Sequence, residues 1–318
     1  MAPLARDCVV AIDVGGTKLA VGMVDSGGTV VRSGRTATPN ADGETIWAAL
    51  NALLDEVVAG AEPMGVGVGC GGPLRMETGE VSPLNMPGWR DFPLVDRLRL
   101  RFPDVPVVLH NDAVAMAIGE HWRGAGQGAS TMLGIVVSTG VGGGLVIGNR
   151  VVSGRTGNAG HVGHVTVDPK GPLCGCGNSG CLEAIARGPA VIASALDGGW
   201  EPTSGVADGA SLVADCMDRV APGTCESLTR AGRALGVAVA GAANLLELER
   251  VVVGGGLAVG AGDLLLEPAR LAFGQRARMG FARRCEIVPA ALGNEAGLVG
   301  AAAMILVPHY LADADGAT

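Results

Sequence analysis

Short apolar runs that end in glycine turns, separated by amphipathic stretches, organise the chain. The run CVVAIDV (8–14) ends in GGTK and is followed by shorter runs at 21–24 and 29–31, which predicts strand, turn, strand, strand. A helical periodicity over 44–59 leads into the apolar MGVGVGC, then the loop GGPLRMETGEVSPLNMPGWRDFPL, a helix near 94–100 and the strand VPVVL. A further helix is predicted after His110-Asn111-Asp112, because Asn or Asp ahead of an Ala-rich apolar periodicity is an N-cap signal. From Thr131 the pattern starts again: TMLGIVVSTGVGGGLVIGNRVV is strand, Gly/Thr turn, strand. The two halves read as weak duplicates of one unit. Helices are then predicted at 189–195, 209–220 and 225–248, followed by the strand RVVVGGG with a small-residue loop after it. A last helix, 294–306, is expected to pack back on the first lobe, and ADADGAT to fray. The expected organisation is an N-terminal small lobe, 1–122, joined by residues 294–318, and a C-terminal large lobe, 123–293.

Composition agrees with an α/β class. Of 318 residues, 48% are hydrophobic and 17% charged, with 53 glycines and few aromatics, so disorder is not expected. A net charge of -8 without any Lys/Arg run excludes a wide nucleic-acid surface. The apolar stretches 235–246 and 296–308 are too short to span a bilayer, and MAPLARD lacks an apolar signal segment, so no membrane partner and a cytoplasmic location are expected. The eight cysteines should then be reduced, with Cys8, Cys70, Cys216, Cys225 and Cys285 acting as small core residues.

Three glycine turns follow strands: Asp13-Val14-Gly15-Gly16-Thr17-Lys18, Ser138-Thr139-Gly140-Val141-Gly142-Gly143 and Gly254-Gly255-Gly256. Backbone N–H groups in such turns can approach phosphate oxygens closely. No G-x-x-x-x-G-K-[ST] occurs, and the first strand lacks a G-x-G-x-x-G that opens a helix. The segment 158–181, NAGHVGHVTVDPKGPLCGCGNSGC, adds two histidines and three clustered cysteines.

With DVGGTK, HNDA, VSTGVGGG, GNAGHVGH, CGCGNSGCLE, VVGGGLA and LGNEAGLVGAA in this order, the chain resembles the ROK family of sugar kinases and sugar-responsive regulators over nearly its whole length. The resemblance implies a two-lobed, actin-like and hexokinase-like ATPase fold with a zinc-binding loop, ATP and Mg2+ as the donor complex, and transfer to a sugar hydroxyl, usually at C6. It gives Asp112 the role of general base. It places Gly72, Asn111, Asp112, His161, His164 and Glu183 at the sugar, and Asp13, Gly15, Gly16, Thr17, Lys18, Ser138, Thr139, Gly140, Gly254, Gly255 and Gly256 at the nucleotide and its metal. His164, Cys174, Cys176 and Cys181 match the family's structural zinc ligands, a closed tetrahedral set. A homodimer or higher homo-oligomer is expected from the family alone.

The departure is His161, where family kinases mostly carry glutamate. A carboxylate accepts hydrogen bonds, whereas a neutral imidazole donates one and accepts one. Pro87-Gly88-Trp89 resembles the glucokinase branch and favours a gluco-configured hexose; an amino-hexose such as kanosamine is the rival substrate. The family also contains repressors with an N-terminal DNA-binding segment, which the twelve residues before Asp13 do not suggest. A catalytically silent sugar sensor is the other function class.

Overall fold

The computed structural model describes residues 7–219 and 222–311; the expected frayed tail at 312–318 and the predicted helix end at Val220 lie outside them. The chain divides into two compact units, residues 1–128, 144–160 and 294–318 in the first, and residues 129–143 and 161–293 in the second.

In the first unit, β1 (Cys8–Val14), β2 (Lys18–Asp25) and β3 (Val30–Ala37) form an antiparallel meander. Helix α1 (Gly43–Val58) follows, then β4 (Val66–Cys70), a short hairpin of β5 (Leu74–Arg75) and β6 (Glu80–Val81), α2 (Leu94–Arg101), β7 (Val107–Asn111) and α3 (Asp112–Arg123). The sheet order is β3-β2-β1-β4-β7, with β4 parallel to β1 and β7 parallel to β4. The continuous apolar run of β1 is buried on both faces as an inner strand requires, whereas edge strand β3 alternates half-buried and exposed residues. Asp42 caps α1 through Thr45 N, and α1 packs on β2 and β3.

The second sheet contains β8 (Thr131–Val137), β9 (Val141–Ile147), β10 (Arg150–Val151), β11 (Arg250–Gly254) and β12 (Glu286–Pro289), in the order β10-β9-β8-β11-β12. The two orders are the same, strand for strand, so the duplication read from the glycine-turn units is a duplication of topology. Between β10 and β11 lie α4 (Leu182–Ala186), α5 (Gly188–Asp197), α6 (Gly209–Met217) and the 25-residue α7 (Pro222–Leu246).

Two expectations need correction. The segment after Gly256 is not a loop: it holds α8 (Gly256–Ala261) and α9 (Asp263–Arg276), and β12 follows. Its small residues and Pro268 hide a helix held by packing on α7 rather than by its own periodicity. Cys216 and Cys225 are not separate thiols but a disulfide with Cα atoms 5.1 Å apart. They sit in the last turn of α6 and the first turn of α7, which the packing of those helices brings within bridging distance. Cys8, Cys70 and Cys285 are free and buried, as expected.

The last helix, α10 (Ala296–Leu306), packs on α3, β1 and β4 within the first unit. The approach is close enough that a Cβ on Gly300 would lie 1.6 Å from Ala115 O, so this crossing admits only glycine there. Among the described residues no helix is long and apolar enough to cross a membrane.

Candidate active site

In the first unit, the turn after β1 is closed by Gly15 N–H donating to Lys18 O at 3.0 Å, and Thr38 Oγ1 donates to Gly15 O at 2.7 Å. Gly16 and Thr17 are exposed at its tip. Asp13 lies beneath, with α10 against it: a Cβ on Gly297 would be 2.9 Å from Asp13 Oδ2. Burial pushes the Asp13 carboxyl up to about 6, the Asp112 charge adds to this, and Lys18 and Arg35 oppose it. Lys18 Nζ donates to Asn294 Oδ1 at 3.5 Å and an Arg35 guanidinium nitrogen to Asn294 O at 3.3 Å, so one asparagine gathers two cations beside the turn. Arg35 and Asn294 were not singled out in the sequence. Asn294 stood inside the quoted LGNEAGLVGAA, but its link to Arg35 spans 259 residues.

Asp112 opens α3, with Asn111 as N-cap. Ala113 N–H donates to Asn111 Oδ1 at 3.0 Å and to Asp112 Oδ1 at 2.8 Å. The predicted capping role of Asn111 is present, and it leaves the Asp112 carboxylate on the adjacent residue with one oxygen on the same N–H. Burial raises the Asp112 carboxyl above its ordinary value, with the Ala113 N–H pulling the other way. Gly72, half-buried, accepts from Leu84 N–H at 3.2 Å, and Gly71 N–H donates to Val14 O at 3.2 Å, joining the ends of β4 and β1. Trp89 is fully buried, stacked on Phe92 at 4.4 Å, and its Nε1 donates to Gly43 O. The Pro87-Gly88-Trp89 loop is thus pinned onto α1 by its tryptophan, which has no face open to a ligand.

His110 lies 1% exposed at the end of β7. Burial pushes its imidazole down to about 4, below the ordinary value of 6.5. An unfolded His110 takes up a proton near 6.5 while the folded one resists until about 4, so this group's stabilising contribution is present above 6.5 and is lost as pH falls from there toward 4. The loss is on the order of 3 kcal/mol. Unfolding of wild type and His110→Asn at pH 7.5 and pH 4.5 checks it: the wild-type advantage should shrink in acid. An advantage independent of pH would show that His110 does not titrate this way.

In the second unit, Ser138 N–H donates to Gly140 O at 2.9 Å, and Gly188 N–H, at the start of α5, to Ser138 O at 2.7 Å. Glu183 Oε2 accepts from Val141 N–H at 2.9 Å, which fixes the carboxylate beside this turn. Gly163 packs on the same residue, a Cβ there lying 2.1 Å from Val141 O, and so seats the flanking His161 and His164 close by. Their rings are nearly parallel, centroids 6.2 Å apart. Gly255 has φ 92° at the junction of β11 and α8, and Gly256 comes near Ser138 Oγ. A cavity of about 390 Å³ is lined by Ser138, Thr139, Gly188, Asp208, Gly209 and Gly256, among others. The start of the predicted helix 209–220 lies in this wall, which the sequence reading did not foresee.

His164, Cys174, Cys176 and Cys181 come together, their ligand atoms all within 4.8 Å of one another. His164 Nδ1 and Cys174 Sγ are 3.6 Å apart, and Cys176 Sγ and Cys181 Sγ 3.7 Å. The edges of a tetrahedron around zinc are about 3.6 Å for nitrogen–sulfur and about 3.8 Å for sulfur–sulfur, so the donor set fits that ion. The knuckle is held by Cys174 N–H donating to Asn178 O at 2.7 Å and Gly180 N–H to Pro172 O at 2.8 Å.

The repeated hairpin-led sheets with glycine turns at their strand ends define an α/β protein of the hexokinase-like fold. More particularly, the chain belongs to the ROK family, whose sequence model matches residues 9–307. It is similar to a glucokinase of Halalkalibacterium halodurans, 36% identical over 310 residues that cover 92% of each chain. An N-acetylmannosamine kinase of Yersinia pestis is 37% identical over 256 residues, 79% of this chain and 84% of that one. Among solved structures, a ROK family glucokinase from Streptomyces griseus in complex with glucose and AMPPNP superposes with a TM-score of 0.82 at 35% identity, covering 93% of this chain and 98% of the other.

Proposed function

We propose that the chain is an ATP-dependent hexose kinase that phosphorylates the 6-hydroxyl of a gluco-configured hexose, glucose or an amino-hexose such as kanosamine. The observation that carries this reading is the Asp112 carboxylate at the start of α3, raised by burial and steadied by its neighbour's amide. The S. griseus relative, crystallised with glucose and AMPPNP, supports both ligands.

In the proposed reaction the sugar hydroxyl attacks the γ-phosphorus, its proton passes to Asp112, and ADP leaves with the bonding electrons of the broken P–O bond. Phosphoryl transfer asks little covalent chemistry of the protein beyond positioning and charge neutralisation. Asn111 would hold the sugar beside the base, and Glu183, anchored through Oε2 to Val141, would accept from a second hydroxyl through Oε1. The cavity walled by Ser138, Thr139, Gly188, Asp208 and Gly256 would take the nucleotide, with backbone N–H groups toward its phosphates. Mg2+ bound with ATP would neutralise phosphate charge, and Asp13 would hold it on the protein side. Lys18 and Arg35, drawn together by Asn294, would add positive charge at the same turn. The four-ligand knuckle would hold a structural zinc.

The amino-hexose alternative rests on Glu183 and Asp112, two carboxylates that could meet an ammonium, while the exposed imidazole of His161, where family kinases mostly carry an acceptor-only carboxylate, would adapt the hydroxyl side. The N-acetylmannosamine kinase relative keeps N-acetylated hexosamines among the substrates to be tried. A coupled ADP-release assay over glucose, mannose, N-acetylated hexosamines, glucosamine and kanosamine decides the substrate, and no sugar-dependent ADP release at all would sink the kinase reading. With the best substrate in hand, His161→Ala should raise KM by a contact's worth, roughly 1–3 kcal/mol. His161→Glu should shift preference toward glucose if an amino-sugar is native. An unchanged kcat/KM ratio between glucose and the best substrate across wild type and both variants would show that His161 does not read the sugar.

A further inference from the structure

We infer that His110 is a positioning residue: through two hydrogen bonds its imidazole holds the β7–α3 junction, from which Asn111 and Asp112 project, and ties it to Ser153. The inference rests on the reading of Asp112 as the base.

The geometry leaves one tautomer. Asn111 N–H lies 2.9 Å from His110 Nδ1. A backbone N–H can only donate, so Nδ1 is the acceptor and the ring proton sits on Nε2. That proton points to Ser153 Oγ at 3.0 Å. The low basicity of the buried ring keeps this arrangement neutral over the working range of a kinase. Asn111 is thereby held at three points: its N–H by His110, its Oδ1 by Ala113 N–H, and its Nδ2 by Cys70 O at 3.5 Å.

At the other end, Ser153 is itself anchored. Its carbonyl accepts from Ala159 N–H at 3.0 Å, which closes the loop 153–159, and the preceding Val152 N–H donates to Leu145 O in β9 at 3.0 Å. The chain of contacts therefore runs from β9 through Ser153 and His110 to the residue before Asp112, all within the first unit. A base displaced by about 1 Å from its productive place can cost on the order of 100-fold in rate. A histidine that only fills space needs neither bond. The bonds, not the volume, are what the positioning role requires.

The test compares His110→Leu, which keeps bulk but loses the acceptor, with His110→Asn, whose Oδ1 can stand where Nδ1 accepts. The leucine variant should lose roughly 10- to 100-fold in kcat with KM for ATP within about twofold, and the asparagine variant should keep kcat within about threefold. Ser153→Ala, a milder change that serves if the leucine variant does not fold, should lower kcat about threefold. In an Asp112→Asn background the His110→Leu loss should vanish, since no base is left to misplace. Equal losses in the leucine and asparagine variants, a folded leucine variant with wild-type kcat, or a loss undiminished in the Asp112→Asn background would each overturn the proposal. So would wild-type kcat in Ser153→Ala when the leucine variant does not fold. A slow Asp112→Asn beside a wild-type His110→Leu sinks the positioning role alone, whereas normal turnover in Asp112→Asn sinks the base assignment first.

Discussion

Asp112→Asn is expected to lower kcat by at least ~100-fold, the usual loss when a general base is removed, with the fold and sugar binding nearly intact. The fold should survive because the amide oxygen can still accept from Ala113 N–H, and because Asn111 remains the helix cap. Stability should if anything rise. Burial disfavours the Asp112 charge, and that same charge helps push Asp13 up to about 6, so a neutral amide relieves both. The expected pattern is thus a large fall in kcat, a small change in sugar KM, and a melting temperature equal to or above that of wild type. Steady-state kinetics and thermal unfolding of the two proteins check all three. Near-normal turnover would leave Asp112 with a structural role at the start of α3.

Where chemistry and local structure are written in the same few residues, the chain was easy to read. Asn111-Asp112 before an Ala-rich periodicity is both a cap signal and a site signal, and the structure puts α3 there. The apolar run of β1 and its GGTK turn likewise carried strand and turn together. Long-range partnership was not legible. Nothing near Cys216 or Cys225 says that α6 and α7 will bring them together, and the expectation of reduced thiols came from compartment rather than geometry. Helices α8 and α9 were missed because their stability comes from tertiary packing, α9 on α7 and α8 on α6, β8 and β11, while their glycine, alanine and proline content speaks locally for a loop. Gly209 was read as a helix start, but only the packed second unit shows that Asp208 and Gly209 wall a cavity with Ser138 and Gly256. His110 was read as part of a motif, and its partner Ser153 is 43 residues away.

Zinc removal is the other change from which a large effect is expected. Purified protein should hold about one zinc per chain, as a closed set of one imidazole and three thiols implies. Cys176→Ser should lose the metal and destabilise the protein by several kcal/mol, of the order of 10 °C in melting temperature for a unit of this size. Cys176 suits the test because it is the exposed member of the set, whereas Cys174 and Cys181 are buried. Serine there costs little packing, so the loss can be assigned to the metal. The consequence should reach the sugar. Cys181 directly precedes α4, Leu182 N–H donates to Val165 O at 2.9 Å, and Glu183 sits in the first turn with Oε2 on Val141 N–H. Loosening the knuckle therefore loosens the carboxylate proposed to bind a hydroxyl, and sugar KM should rise in the same variant while KM for ATP changes less. Binding should also release protons, since burial and the neighbouring thiols hold the Cys181 thiol up at about 12 until a metal displaces its hydrogen. Metal analysis, thermal unfolding and the two KM values decide the matter. Metal-free protein that keeps full thermal stability and an unchanged sugar KM would make the four-residue cluster incidental to both fold and site.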